Sequence, residues 1–384
     1  MIADCIGVIS LGIWVYLVFA RGGFWKMNFA DVPDRPDALP GKVAAIVPAR
    51  DEAKTIGVAV ASLLRQEHAG ELRVFLVDDH SQDGTAEAAR QAAHGMGRDE
   101  ALEVVHANPV PSGWTGKVWA MSEGLRVAQS YRSDFYWFTD ADIVHEPENL
   151  SRLMARAESG GFDLVSQMVK LRCQSVAEKL LVPAFVFFFF KLYPPKWVNR
   201  PEKRTAAAAG GNMLMRRTAL ERSGGISVIR AELIDDCALA RAVKRSGRIW
   251  LEPTKDAASL REYGGFAEIG HMIARSAFTQ LNHSVLLLLA AVLGMILTYL
   301  APVLILGCGP LPALLGATAL VLMLFAYRPI LSFYGLSCLW SLTLPLTAAF
   351  YVGATVVSAA QYWSGRGGSW KGRVQDVRPG ARPS

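Results

Sequence analysis

Two patterns of apolar residues divide the chain. Between residues 42 and 281, short apolar runs alternate with stretches of helical period. Val43–Val47 predicts a strand and Ala53–Gln66 a helix; Arg73–Val77 and Gly84–Ala93 repeat the unit. Leu102–His106 follows as a third strand, Lys117–Gln129 as a helix and Phe135–Thr139 as a fourth strand. Such alternation builds a mostly parallel sheet with helices on both faces, and ligands sit beyond the strands' carboxyl ends. Elsewhere the apolar runs are long. Ile2–Ala20 contains one charged residue, Asp4, while Ser276–Tyr327 and Pro329–Gly365 contain none.

About 20 apolar residues cross a bilayer. Ser284–Gly307 and Pro310–Tyr327 therefore read as spans, with Cys308 and Gly309 in the turn. Pro329–Gly365, interrupted by Pro345, is long for one span and short for two. No Lys or Arg precedes Ile2–Ala20, and Val18-Phe19-Ala20 is a poor cleavage site, so this run reads as an uncleaved anchor rather than a signal peptide. Arg21 and Lys26 after it put the amino terminus outside and the following domain in the cytoplasm. The tail's Arg366, Lys371, Arg373, Arg378 and Arg382 place it inside by the same rule, whereas an anchor plus three later spans would place it outside. The expected organisation is an anchor over 1–23, a cytoplasmic α/β domain over 24–281, membrane helices over 282–365 and a basic tail over 366–384. Leu180–Tyr193, with Phe185 and Phe187–Phe190, is too short to span. It reads either as a buried core segment or as an interfacial element flanked by Lys179, Lys191 and Lys196.

Composition narrows the function classes. Of 384 residues 52% are hydrophobic and 19% charged, which excludes disorder and fits a membrane protein. The net charge of +6 is too mild to imply nucleic acid and suits membrane-flanking cations. Cys5, Cys173, Cys237, Cys308 and Cys338 form no C-x-x-C and no zinc-like spacing with the histidines, as expected of free thiols in a reducing cytoplasm and a membrane interior.

Candidate chemistry clusters after the strands. The first ends in Pro48-Ala49-Arg50-Asp51-Glu52, without a G-x-G-x-x-G; Gly113–Lys117 lacks the spacing of a phosphate-binding P-loop. The second ends in Asp78-Asp79, where a carboxylate can accept from a ribose hydroxyl or a base N–H, before a turn at Ser81, Asp83 and Gly84. The fourth ends in Thr139-Asp140-Ala141-Asp142, two carboxylates able to reach one divalent cation that also holds a diphosphate. Asp235-Asp236 opens a helical run and reads either as a cap or as a general base. Gly210-Gly211-Asn212 is a turn where backbone can approach a ligand. On the amphipathic helix Glu268–Leu281, Arg275 reads either as a phosphate clamp or as an interfacial arginine.

Together, Pro48–Glu52, Val77–Thr85, Thr139–Asp142, Gly210–Asn212 and Ile234–Asp236 resemble glycosyltransferase family 2 in order and spacing. Pro111–Lys117, Thr139–Ile143, Pro183–Phe189, Thr205–Gly211, Leu233–Ala240 and Trp370–Arg373 are similar to strings of the hopene-associated glycosyltransferases. The resemblance implies an α/β GT-A fold, a Rossmann-like nucleotide-diphospho-sugar transferase domain, with transmembrane helices. It also implies inverting transfer from a nucleotide-diphospho-sugar to a membrane lipid at the cell inner membrane. Carried over, Glu52 and Asp78 contact the nucleoside with Asp79 assisting, and Pro48, Arg50, Lys117, Asp140 and Arg275 line the donor. Asp140 and Asp142 hold Mg or Mn, and Asp236, with Asp235 beside it, is the base. Processive members carry Q-x-x-R-W; here Met272-Ile273-Ala274-Arg275-Ser276 keeps only the arginine, which favours single transfer. The rival readings are a polyprenyl-phosphate glycosyltransferase, whose acceptor needs no base, and a non-catalytic lipid-binding member of the fold.

Overall fold

A computed structural model of the chain describes residues 1–29, 40–370 and 373–376. Residues 30–39, and Lys371, Gly372, Arg378 and Arg382 of the tail, lie outside the described residues. The chain divides into two compact units, Phe29–Arg172 with Trp197–Glu262, and Met1–Asn28 with Cys173–Lys196 and Tyr263–Ser384.

The first unit is built on an eight-stranded sheet. Its strands are β1 (Val43–Ala49), β2 (Leu72–Asp78), β3 (Leu102–His106), β4 (Phe135–Thr139), β5 (Ile143–His145), β6 (Leu164–Lys170), β7 (Asn212–Arg216) and β8 (Ile249–Ser259), in the order β3-β2-β1-β4-β7-β6-β8-β5. β1 is buried along its whole length, as a strand covered by helices on both faces must be. Val43, Ala45 and Val47 face a core with Ile56, Val60 and Leu63 of the helix Ala53–Leu64. On the opposite face, the helix Gly116–Ala128 comes so close that a Cβ on Gly124 would lie 2.7 Å from Val77 and 2.9 Å from Ile46.

The sheet is mixed, with parallel pairings in the majority. β3-β2-β1-β4 and β6-β8 pair in parallel, whereas β4-β7, β7-β6 and β8-β5 are antiparallel. Strand order reverses at β1, which pairs with β2 on one side and β4 on the other. Its pairing with β4 stops at Ile46↔Phe138, while that with β2 continues to Ala49↔Asp78. Pro48 therefore stands beyond the last β4 partner, where its missing N–H leaves no broken ladder on that side. The strands part there, at the switch point where α/β sheets receive ligands.

The second unit contains four helices long and apolar enough to cross a membrane: Ile2–Ala20, Val285–Gly307, Pro310–Phe333 and Cys338–Trp363. The stretch after Pro329 is shared between the end of the third and the whole of the fourth, with Gly335 at positive φ in the turn between them. The helix Val176–Leu192 belongs to this unit, and its phenylalanines pack inside it: Phe187 lies 5.1 Å from Tyr327 and Phe188 4.8 Å from Tyr351, ring centre to ring centre. Pro183 interrupts the helix's own ladder. Beside it the carbonyls of Leu180 and Leu181 accept from Thr347 Oγ1 (3.3 Å) and the Tyr351 hydroxyl (2.9 Å).

Candidate active site

A small opening at the carboxyl ends of β1 and β4 is lined by Pro48, Lys117, Phe138, Thr139, Asp140, Gly210 and Asp235, among others. Three remote segments meet there. β4 delivers Asp140. Antiparallel pairing of β4 with β7, ending at Thr139↔Asn212, delivers the Gly210-Gly211 approach. The helix Asp235–Lys244 delivers its first two residues, where the helix dipole favours carboxylates.

Lys117, on the first turn of Gly116–Ala128, joins them. Its Nζ lies 2.8 Å from Asp140 Oδ1 and 3.5 Å from Asp235 Oδ2. Burial alone would lower the lysine's pKa, but Asp140, Asp235 and Asp236 together raise it, so the ammonium stays charged. Asp235 is buried, and its Oδ2 finds no hydrogen-bond partner among the described residues. Asp236 accepts from the backbone N–H of Gly210 (2.9 Å) and of Cys237 (2.6 Å). Burial, and then the charge of Asp235, push the Asp236 carboxyl up to about 6, against the opposing pull of Lys117. Neither Gly210 nor Gly211 has a positive φ. A Cβ on Gly211 would lie 3.2 Å from Val169, tighter than an ordinary contact, whereas one on Gly210 would be in ordinary contact, 3.4 Å from both Asp236 Oδ2 and Lys117 Nζ.

Asp142, within reach of the charge of Asp140, is anchored by a separate contact. Its Oδ2 accepts from Ser259 Oγ (2.9 Å), because β5 pairs with β8 and aligns Ile143 with Ser259. Burial and the charge of Asp140 raise its pKa. Asp140 and Asp142 are hard oxygen donors of the type Mg and Mn take, and these ions commonly complete their shells with substrate phosphate and water. Among the described residues, no group of three His, Cys, Asp or Glu side chains could hold a metal ion by itself. The donor set fits a cation that arrives with a phosphorylated ligand.

The ends of β1 and β2 form the neighbouring wall. Arg50 Nη1 donates to the Asp79 carbonyl (2.8 Å) and lies 3.6 Å from the fully buried Asp79 carboxylate. Asp78 accepts from the Ser81 N–H (3.0 Å) and faces His106 Nδ1 at 3.4 Å. The polar turn Ser81–Thr85 clasps the loop of β1: Ser81 Oγ, Thr85 Oγ1 and Asp83 Oδ2 accept from the N–H groups of Asp51 (3.0 Å), Glu52 (2.8 Å) and Ala53 (2.9 Å). That clasp holds Asp51 and His80 at positive φ and fixes Glu52 at the start of the helix Ala53–Leu64. Arg275, by contrast, lies on the helix Phe266–Ala277 of the other unit.

A buried polar network stands behind the cluster. Thr139 Oγ1 donates to the Gly211 carbonyl (2.9 Å) and meets His145 Nε2 (2.9 Å), while Asn149 Nδ2 faces His145 Nδ1 (3.1 Å). A ring protonated on Nε2 alone satisfies both contacts, and burial lowers the His145 pKa to about 3. Asn212, wholly buried, accepts from Trp137 Nε1 (2.7 Å) and donates to Asn149 (3.2 Å) and Gln167 (2.9 Å). The only signal in the sequence was a set of polar residues in or beside apolar runs.

Comparison with known proteins agrees with this architecture. Residues 44–224 match the family model for glycosyl transferase family 2. The fold is similar to that of the mannosyltransferase PcManGT from Pyrobaculum calidifontis, solved in complex with GDP-Man and Mn2+. The TM-score is 0.60 at 20% identity, over 93% of this chain and 99% of that one. Glucosyl-3-phosphoglycerate synthase from Mycobacterium tuberculosis, solved with Mg2+ and uridine-diphosphate, overlaps 63% of this chain and 79% of its own at 17% identity, with a TM-score of 0.41. Sheet order, switch-point opening and the match over residues 44–224 converge on a GT-A-like, Rossmann-type sheet.

Proposed function

We propose that the protein is a membrane-bound, inverting glycosyltransferase that moves one sugar from a nucleotide-diphospho-sugar to a hydroxyl of a membrane lipid, hopanoid-related in class. The observation that carries this reading is the meeting of Lys117, Asp140 and Asp235 at the switch-point opening, with Asp236 held beside them by the Gly210 N–H. Glu52, Asp78 and Asp79, with Pro48 and Arg50, form the nucleoside side. Lys117 faces the diphosphate. Asp140 and Asp142 would hold Mg or Mn, which supplies charge neutralisation for the departing diphosphate. In support, PcManGT is described with GDP-Man and Mn2+.

Asp236 removes the proton. The acceptor oxygen attacks the anomeric carbon as the bond from that carbon to the diphosphate oxygen breaks, and the acceptor's proton passes to the Asp236 carboxylate. A single displacement inverts the anomeric centre. A carboxyl titrating at about 6 is ionised at neutral pH yet a stronger base than an ordinary aspartate. The four apolar helices support residence in the inner membrane as a multi-pass protein, with the catalytic domain cytoplasmic, where activated sugars are found.

The test has two arms. Detergent-purified protein is offered a panel of GDP- and UDP-sugars with Mn2+ or Mg2+, and binding and released nucleoside diphosphate are measured. Lipids from cells with and without the gene are compared by mass spectrometry for one glycolipid that disappears. Failure to bind any nucleotide sugar would remove the enzymatic reading in favour of lipid binding alone. Full turnover by the Asp236→Asn variant would point to a phosphate acceptor, already anionic and in need of no base.

A further inference from the structure

Lys117 is in an unusual place for a donor-binding cation. Its ammonium is spent on the protein's own acids, in contact with Asp140 Oδ1 at 2.8 Å and with Asp235 Oδ2 at 3.5 Å. Asp140 is also the acid that the proposed metal needs. Nothing about the helix favours a cation there, because Lys117 is the second residue of Gly116–Ala128, at the positive end of the dipole. The acids therefore hold it. Asp235 and Asp236 act on the same ammonium, and Asp235 Oδ2 is buried with no hydrogen-bond partner among the described residues.

We propose that Lys117 is a built-in competitor of the metal: in the donor-free protein its ammonium occupies Asp140, and it leaves when an incoming diphosphate offers a better anion. This rests on the glycosyltransferase reading above. Divalent cation and donor then bind together, and the free protein keeps its acids paired instead of loading metal idly. The long, flexible lysine stem suits the move, since the ammonium is a point charge that can change partners without a fixed approach angle. Before binding the ammonium sits on Asp140; afterwards it would sit on the phosphate, and the Asp140 carboxylate would be left to hold the metal.

The experiment titrates Mn2+ alone into the purified full-length protein and reads free Mn2+ by electron paramagnetic resonance, with no nucleotide present. Removing a unit charge in contact with a ligating carboxylate should tighten Mn2+ binding at least about tenfold in Lys117→Met. Lys117→Arg, which keeps the charge, should stay near wild type. Adding Asp140→Asn to Lys117→Met should abolish the gain. The same Lys117→Met variant should bind UDP and GDP more weakly in the presence of Mg2+, the opposite direction, which a merely structural lysine would not produce. Lys117→Gln, uncharged but still able to donate to Asp140, repeats the test should the methionine variant not fold. Mn2+ affinity in the uncharged variants equal to or below that of wild type would overturn the proposal. Because that titration uses no donor, this failure is distinct from failure of the glycosyltransferase reading, which shows as wild-type protein binding no nucleotide sugar.

Discussion

Asp236 should set the pH dependence of the reaction. Its carboxyl, raised from 3.8 to about 6 chiefly by burial, holds a proton more tightly by about 3 kcal/mol than an ordinary aspartate. As a base it works only when ionised. The rate with both donor and acceptor limiting, which reports the free protein, should therefore rise tenfold per pH unit below about 6 and level off above it, so that the rate at pH 5 is about a tenth of the plateau. Asp236→Asn removes the base and also breaks the local hydrogen bonding. Its two oxygens accept from Gly210 and Cys237 N–H groups, and an amide can serve only one of them, turning its NH2 against the other. Loss of general-base catalysis is worth about 10²–10⁴ in rate, and the misplaced donor adds about 1–3 kcal/mol of disturbance at Gly210. Released nucleoside diphosphate, followed between pH 5 and 8 for wild type and variant, reads both effects. A variant within tenfold of wild type, or a wild-type profile flat below pH 6, would refute the assignment of Asp236 as proton acceptor.

Three further outcomes follow from the packing. Asn212→Ala strips partners from Trp137 Nε1 and Gln167 Oε1 in a fully buried place, and should cost about 3 kcal/mol, read as a lowered melting temperature. An unchanged melt would show the network to be dispensable. Gly124→Ala should destabilise by about 1–3 kcal/mol despite alanine's better helix propensity, because its Cβ would overlap Val77 and Ile46; a more stable variant would contradict that contact. Burial keeps His145 neutral, with its folded pKa near 3 and its unfolded pKa at 6.5, so the unfolded chain binds the extra proton first. Its contribution to stability is complete above pH 6.5 and falls by about 1.4 kcal/mol per pH unit as pH drops toward 3. Denaturation midpoints measured from pH 7 to 4 should lose that slope in His145→Asn, and an equal slope in the variant would exclude His145 as its source.

How far the sequence could be read follows the same physics. β1 to β4 were visible because strands covered on both faces must be apolar throughout, as Val43–Ala49 is, and because turn residues punctuate them. The acids after β1, β2 and β4 were visible because ligands in such sheets lie beyond strand ends. β5 to β8 were not. β5 has three residues, β6 buries Ser166 and Gln167 in its middle, and β8 runs through Pro253, Lys255 and Asp256. Their polar atoms are tolerated inside because partners from distant segments satisfy them: Gln167 meets Asn212 and Glu252, and Ser166 meets the backbone of Ala209. No local pattern can announce a satisfaction supplied 43 or 85 residues away.

Local chemistry thus determined which residues were candidates: carboxylates at strand ends, glycines where backbone comes close, a lysine at a helix start, and helices apolar enough to enter a bilayer. Tertiary structure alone decided how they combine. The β4–β7 register brings Gly210 to Asp140 and so seats Asp236 on the Gly210 amide, while β5–β8 pairing turns Asp142 toward Ser259. The reason lies in range. Periodicity and capping act within a few residues, but the charge on Lys117 and the proton on Asp236 are set by groups that only sheet pairing brings within a few ångströms.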